Sequence, residues 1–206
     1  MIGIEQTLTG GNRLWRAADL SDRELKVRQS TLISGVYHIE LPIFEDTRGY
    51  FKENYQQQKL QQLGLPPFNI VQQNISFNAS SGVTRGIHCE PWNKYSSVAC
   101  GRVFVAIVDV RAGDNFGQTE CFELDPSRAV YLPVGVGNSF QSLVPNTIYN
   151  YLVNDHWSAD AQYQMINLAD KTLAIEWPIA LEKAIISDKD RAHPPLSELH
   201  PFREDG

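Results

Sequence analysis

Thr84-Arg85-Gly86-Ile87-His88-Cys89-Glu90-Pro91 sets a cation and an imidazole three positions apart in a segment that otherwise reads as strand. Ideal two-residue alternation sends Arg85 and His88 to opposite faces, so both reach one site only if Gly86 marks a bulge. Cys89 points away from His88, so the imidazole is badly placed to activate that thiol, which reads as a buried bystander. One short loop later comes Arg102 to Arg111, whose Val103-Phe104-Val105-Ala106-Ile107-Val108 is apolar on both faces and must be a buried strand. Further on, Tyr131-Leu132-Pro133-Val134-Gly135-Val136-Gly137-Asn138-Ser139-Phe140 reads as a tight turn between two more strands. Strands of this kind predict a β-barrel or sandwich whose mouth carries polar residues.

The rest of the chain agrees. Val36 to Leu41 alternates, with Tyr37, Ile39 and Leu41 on one face and His38 and Glu40 on a solvated one. Asp46 to Glu53 is a turn feeding a short strand, and Asn69 to Ser76 resumes strand character. Thr119–Leu124, Ala129–Leu132, Tyr149–Val153 and Tyr163–Asn167 follow, with Gly and Pro between them. Helix signals are few. Ser21-Asp22-Arg23-Glu24 has capping-box spacing and predicts a short helix over 22–28. Asn54 is placed to cap a Gln-rich helix with Leu60 and Leu63 inward and Gly64 as its stop. The expected architecture is one mainly-β domain over residues 1–206, with an N-terminal arm over 1–30 and a charged, Pro-rich segment over 187–206.

Composition narrows the function. A net charge of -6 argues against nucleic acid or an anionic membrane as partner. No apolar run is long enough to span a bilayer, and the first residues lack a signal-peptide pattern, so the expected location is the cytoplasm. Cys89, Cys100 and Cys121 form no C-x-x-C pair. The five histidines, His38, His88, His156, His193 and His200, show no H-x-H pair, and Asn138 stands where a metal-binding barrel would place a histidine, so no metal site is expected.

Arg48 beside Gly49, Arg85 beside Gly86, and Lys94 are candidate phosphate binders, because guanidinium forks pair with phosphate oxygens and glycine lets a ligand approach the backbone. By itself each reads as a surface charge, Tyr151 as a core tyrosine and Asp190 as a solvated tail charge. No P-loop and no G-x-G-x-x-G is present.

Taken together the motifs resemble the dTDP-4-dehydrorhamnose 3,5-epimerase family, a cupin-fold group acting on nucleotide-linked 4-keto sugars. Asp46 to Glu53 looks like its D-x-R-G-x-F-x-E, Val71 to Ser76 like V-Q-x-N-x-S, and Arg85-Gly86-Ile87-His88 like R-G-x-H. Asp109 to Gly117 is similar to D-x-R-x-G-S-x-x-F-G, slightly shortened. Tyr151 opens a Y-x-x-x-D, and Ser187 to Asp190 matches S-x-x-D. The chain departs from the common pattern in having Asn138-Ser139 in P-x-G-x-x-H-G-F and Glu90-Pro91-Trp92-Asn93-Lys94-Tyr95 after the histidine; this resembles a sub-branch with E-P-W-x-K-Y.

The resemblance implies a cupin jelly roll with few short helices, and an epimerase inverting C3, C5 or both of a dTDP-4-keto-6-deoxyhexose. Within the family, His88 would be the base, Asp190 its orienting partner, Lys94 the donor near the O4 oxyanion and Tyr151 the acid on the far face. Arg48, Phe51, Glu53, Gln72, Asn74 and Arg85 would hold the nucleotide diphosphate, with Asn138 at the divergent turn. The resemblance further implies no metal, no redox cofactor and a homodimer. The rivals are a mono-epimerase or ketoisomerase of the same fold, a metal-dependent cupin oxygenase, and a non-catalytic sugar-nucleotide sensor.

Overall fold

The computed structural model describes residues 24–159 and 163–203. Its strands are β1 (Lys26–Gln29), β2 (Tyr37–Glu40), β3 (Phe44–Asp46), β4 (Gly49–Phe51), β5 (Gln72–Asn78), β6 (Thr84–Cys89), β7 (Lys94–Cys100), β8 (Val103–Asp109), β9 (Thr119–Leu124), β10 (Arg128–Leu132), β11 (Val136–Ser142), β12 (Thr147–Val153) and β13 (Gln164–Met165). Two short α-helices join them, α1 (Gln57–Gln62) and α2 (Asp188–Arg191). Among the described residues no helix is long and apolar enough to cross a membrane.

Two antiparallel sheets make up the body. One has the order β1-β2-β10-β7-β12-β5 and the other β13-β6-β11-β8-β9, with β3 and β4 forming a separate hairpin. This is the expected mainly-β jelly-roll sandwich. Two-residue alternation distributes its core into three layers. On β10, Val130 and Leu132 face the space between the sheets while Ala129 and Tyr131 face outward, under α1 and Phe68. On β8, Val103, Val105 and Ile107 point between the sheets and Val108 points outward, beneath Leu168, Leu173 and Leu196 of the chain that follows β13. A strand covered on both faces needs apolar residues at every position, which explains the unbroken run at 103–108.

Five local readings need correction. The short loop expected before Arg102 contains the seven-residue strand β7, paired with β10 and β12 on its two edges. The expected helix over 22–28 is strand from Lys26 onward, because pairing with β2 and burial of Val27 outweigh a capping pattern whose serine lies outside the described residues. Helix α1 is capped by Gln56, whose side chain accepts from the Lys59 N–H at 2.6 Å, and not by Asn54. Leu60 is buried as expected but Leu63, at the C-cap, is 45% exposed; Gly64, at φ +99, does end the helix. His38 is not a solvated side chain: its Nε2 lies 2.7 Å from Glu120 Oε1 and its ring meets Phe122 edge-on, tying β2 to the opposite sheet.

Candidate active site

The bulge required for Arg85 and His88 to share a face is present. Along β11 the partners Asn138 and Phe140 are two residues apart, whereas along β6 their partners His88 and Arg85 are three apart. One extra residue on β6 restores the phase, and cross-strand partners share a face, so Arg85 and His88 both point with Phe140 into the space between the sheets. Gly86 makes this possible. Its φ is +125, and a Cβ there would lie 2.5 Å from Ser139 Cβ and 2.9 Å from the Asn138 carbonyl oxygen. Ile87 and Cys89 turn outward into the C-terminal core layer, and burial pushes the Cys89 thiol up to about 12. That thiol is the inert bystander expected of it.

The facing sheet supplies the other side. Lys94 and Tyr151 lie on β7 and β12, in phase with Val98 and Tyr149 of the inter-sheet core. Lys94 is 6% exposed; its Nζ donates to Asn138 Oδ1 at 2.5 Å and to Glu90, and sits 4.8 Å from the Tyr151 ring centroid. Asn74 pairs across the strands with Tyr151 and accepts from Gln72 at 2.9 Å. Arg85 Nε reaches Asn78 Oδ1 at 3.4 Å, linking the two sheets. Burial pushes the Tyr151 phenol up to about 12, helped by the Glu90 carboxylate and opposed by Arg85. It stays protonated throughout the neutral range.

Asp190 arrives from α2. Ser187 caps that helix by accepting from the Asp190 N–H at 3.1 Å, and the carboxylate then lies with Oδ1 3.0 Å from His88 Nε2. Burial alone would raise its pKa, but the His88 hydrogen bond, the charges of His88 and His193 and the nearby Gly86 N–H outweigh that and lower it. The tail charge is thus a buried anion tied to an imidazole.

His88, Asp190, Lys94, Tyr151, Arg85, Gln72, Asn74 and Asn138 therefore gather in one interior region. Arg48, Phe51 and Glu53 do not join them in the same chain. Arg48 pairs with Asp46, Glu53 pairs with Lys59, and Phe51 is 65% exposed. Tyr50 donates to the Ala99 carbonyl and Lys52 to that of Val98 at 2.7 Å, which anchors the β3–β4 hairpin at the Cys100 end of β7. At about 3.3 Å per residue, Ala99 is roughly 17 Å along the strand from Lys94. Sequence reading placed Glu90 in the charge cluster beside His88 but gave no site role to that residue, which holds Lys94, or to His193, whose Nε2 is 3.6 Å from Asp190 Oδ1. The short Glu90-to-Lys94 spacing carried a signal for the first; nothing local marked the second.

Residues 30–198 match the family described as dTDP-4-dehydrorhamnose 3,5-epimerase. A protein of Streptococcus pyogenes named as an RmlC homolog is 40% identical over 189 residues, covering 88% of this chain and 95% of its own length. Among solved structures, RmlC from Streptococcus suis in complex with dTDP-D-xylose superposes with a TM-score of 0.85 at 40% identity, over 89% of this chain and 97% of that one. ChmJ, a 3'-monoepimerase from Streptomyces bikiniensis, superposes with a TM-score of 0.74 at 29% identity, over 82% and 88% of the two chains. Fold and relatives together define a cupin-type sugar epimerase, an isomerase of deoxysugar biosynthesis. The chain belongs to the dTDP-4-dehydrorhamnose 3,5-epimerase family.

Proposed function

We propose that this enzyme epimerises both C3 and C5 of a dTDP-4-keto-6-deoxyhexose, with His88 as base and Tyr151 as acid. One observation supports this reading above the others: the His88–Asp190 pair and Tyr151 project from opposite sheets into the same interior region. Inversion needs a base on one face of the sugar ring and a proton donor on the other, and two facing sheets supply both.

The C4 ketone acidifies the adjacent C–H bonds, so a base of modest strength removes a proton if the enolate is stabilised. An imidazole is a base of that kind, able to take and return a proton near neutrality. Asp190 accepts from Nε2, which fixes the tautomer, leaves Nδ1 to take the substrate proton and favours the imidazolium that forms. Lys94, held by Glu90 and Asn138, is the cation for the O4 oxyanion. Tyr151 returns a proton from the far side. Arg85, Gln72 and Asn74 hold the nucleotide diphosphate.

Arg48, Phe51 and Glu53 complete the site from a second copy of the chain, in a homodimer. Their hairpin stands away from the site of its own chain and presents Phe44, Tyr50 and Phe51 as exposed apolar side chains. Single-carbon epimerisation is the competing reading, since ChmJ is named a 3'-monoepimerase. Turnover of the 4-keto sugar nucleotide in deuterated water separates them. Deuterium at C3 and C5 of an inverted product is expected; label at one carbon establishes the mono-epimerase instead.

A further inference from the structure

His193 is a buried imidazole that proton transfer leaves unused. It is 8% exposed, and its ring faces the backbone of Gly86 and Ile166 without a hydrogen bond of full geometry at either nitrogen. Its Nε2 points at Asp190 Oδ1 from 3.6 Å, and His88 Nε2 lies 3.0 Å from the same oxygen. The three donor atoms fall within 4.8 Å of one another. We propose that His88, Asp190 and His193 form a binding site for a borderline divalent transition-metal ion, Zn²⁺ foremost, and that its occupancy switches the enzyme off.

Two imidazoles and a carboxylate suit zinc and its neighbours and disfavour Mg²⁺ and Ca²⁺, which take oxygen donors. Tetrahedral Zn²⁺ with bonds of about 2.0–2.2 Å sets its ligand atoms roughly 3.3–3.5 Å apart. Two of the edges, at 3.0 and 3.6 Å, already bracket that spacing. The third closes by rotation of His88, whose side chain is 34% exposed and has room to swing. The open side at His88 leaves a fourth position for water.

The switch follows from the tautomer and rests on the reading of His88 as the base. A neutral imidazole carries one proton. With that proton on Nε2, donated to Asp190, Nδ1 is free to accept from the substrate. A metal ion on Nε2 takes that nitrogen's lone pair and the ring proton moves to Nδ1. No proton is gained or lost, but the ring has no acceptor left.

Calorimetric titration of the full chain with Zn²⁺ near neutral pH tests the site. One ion per chain is expected, with affinity at least about tenfold weaker in His193→Ala and in the bulk-preserving His193→Gln. His156→Ala and His200→Ala, at exposed positions, should bind as the parent does. Absence of stoichiometric binding, or unchanged affinity in both His193 variants, overturns the site while leaving the epimerase reading intact. In the parent, equimolar Zn²⁺ should suppress substrate proton exchange and a chelator should restore it. Zn²⁺ bound at the cluster with exchange undiminished would overturn the switch but neither the metal site nor the assignment of His88 as base, which loss of exchange in metal-free His88→Ala tests separately.

Discussion

His88 Nε2 and Asp190 Oδ1 stand 3.0 Å apart although 102 positions separate the two residues in the chain. The contact joins a bulged strand of the five-stranded sheet to the first turn of a four-residue helix capped by Ser187. An acceptor there settles which imidazole nitrogen carries the proton. Asp190→Asn puts an amide at that place, whose N–H favours the opposite tautomer. The expected loss in kcat/KM is about two to four orders of magnitude, with calorimetric affinity for dTDP unchanged. A loss under fivefold would remove Asp190 from the reaction.

Gly86 sets the phase between Arg85 and His88, and it has no room for a side chain. Gly86→Ala combines a φ of +125 with a Cβ 2.5 Å from Ser139 Cβ and 2.7 Å from Ser139 Cα. Destabilisation of roughly 2–4 kcal/mol is expected in urea unfolding. Gly113→Ala, at φ +140 but with nothing within 4 Å, should cost less, because only the backbone strain applies there. Equal costs at the two positions would mean that the close approach to Ser139 carries no energy.

Much of this was legible in the sequence, and the limits are physical. The apolar run at 103–108 forces burial on both faces whatever its neighbours are, and the need for a bulge at Gly86 follows from alternation alone. His38 shares a face with Glu40 in any strand, but whether water or Glu120 meets it depends on a strand more than eighty residues away. Leu63 had helical spacing with Leu60, yet α1 ends one residue earlier and leaves it outside. His193 shows the same limit at the site. Its proximity to His88 exists only once the C-terminal segment packs against β6. Arg48, Phe51 and Glu53 carried a family motif, but the motif does not tell that their hairpin is anchored at the far end of β7 from Lys94.

A dimeric site makes a distinctive prediction. His88→Ala and Arg48→Ala should each be nearly inactive alone, the first for want of a base and the second for want of a diphosphate contact. Mixed and reassorted, half the dimers carry one chain of each kind. Each such dimer has one site with both defects and one with neither. About a quarter of parental activity should return. No recovery in verified mixed dimers would place Arg48 outside the partner's site.

Stability should fall at high pH. Burial pushes the phenols of Tyr131 and Tyr151 up to about 12, against about 10 in the unfolded chain. A raised folded-state pKa means that the unfolded chain loses its protons first. The stabilisation is therefore complete below about pH 10 and is lost between about 10 and 12. Tm should decline steeply between about pH 10 and 12, and a Tm unchanged over that range would contradict the burial of these hydroxyls.

Inversion by two residues on opposite faces is tested most directly by Tyr151→Phe in deuterated water. A base alone strips a proton and returns it to the same face, giving exchange without a new configuration. The substitution removes one hydroxyl from a half-buried ring and keeps its packing, so the fold should survive. The variant is predicted to incorporate deuterium into the 4-keto sugar while forming at least about a hundredfold less inverted product than the parent. Inversion at the parental rate would show that the proton reaches the far face from another donor, and the pairing of His88 with Tyr151 would be wrong.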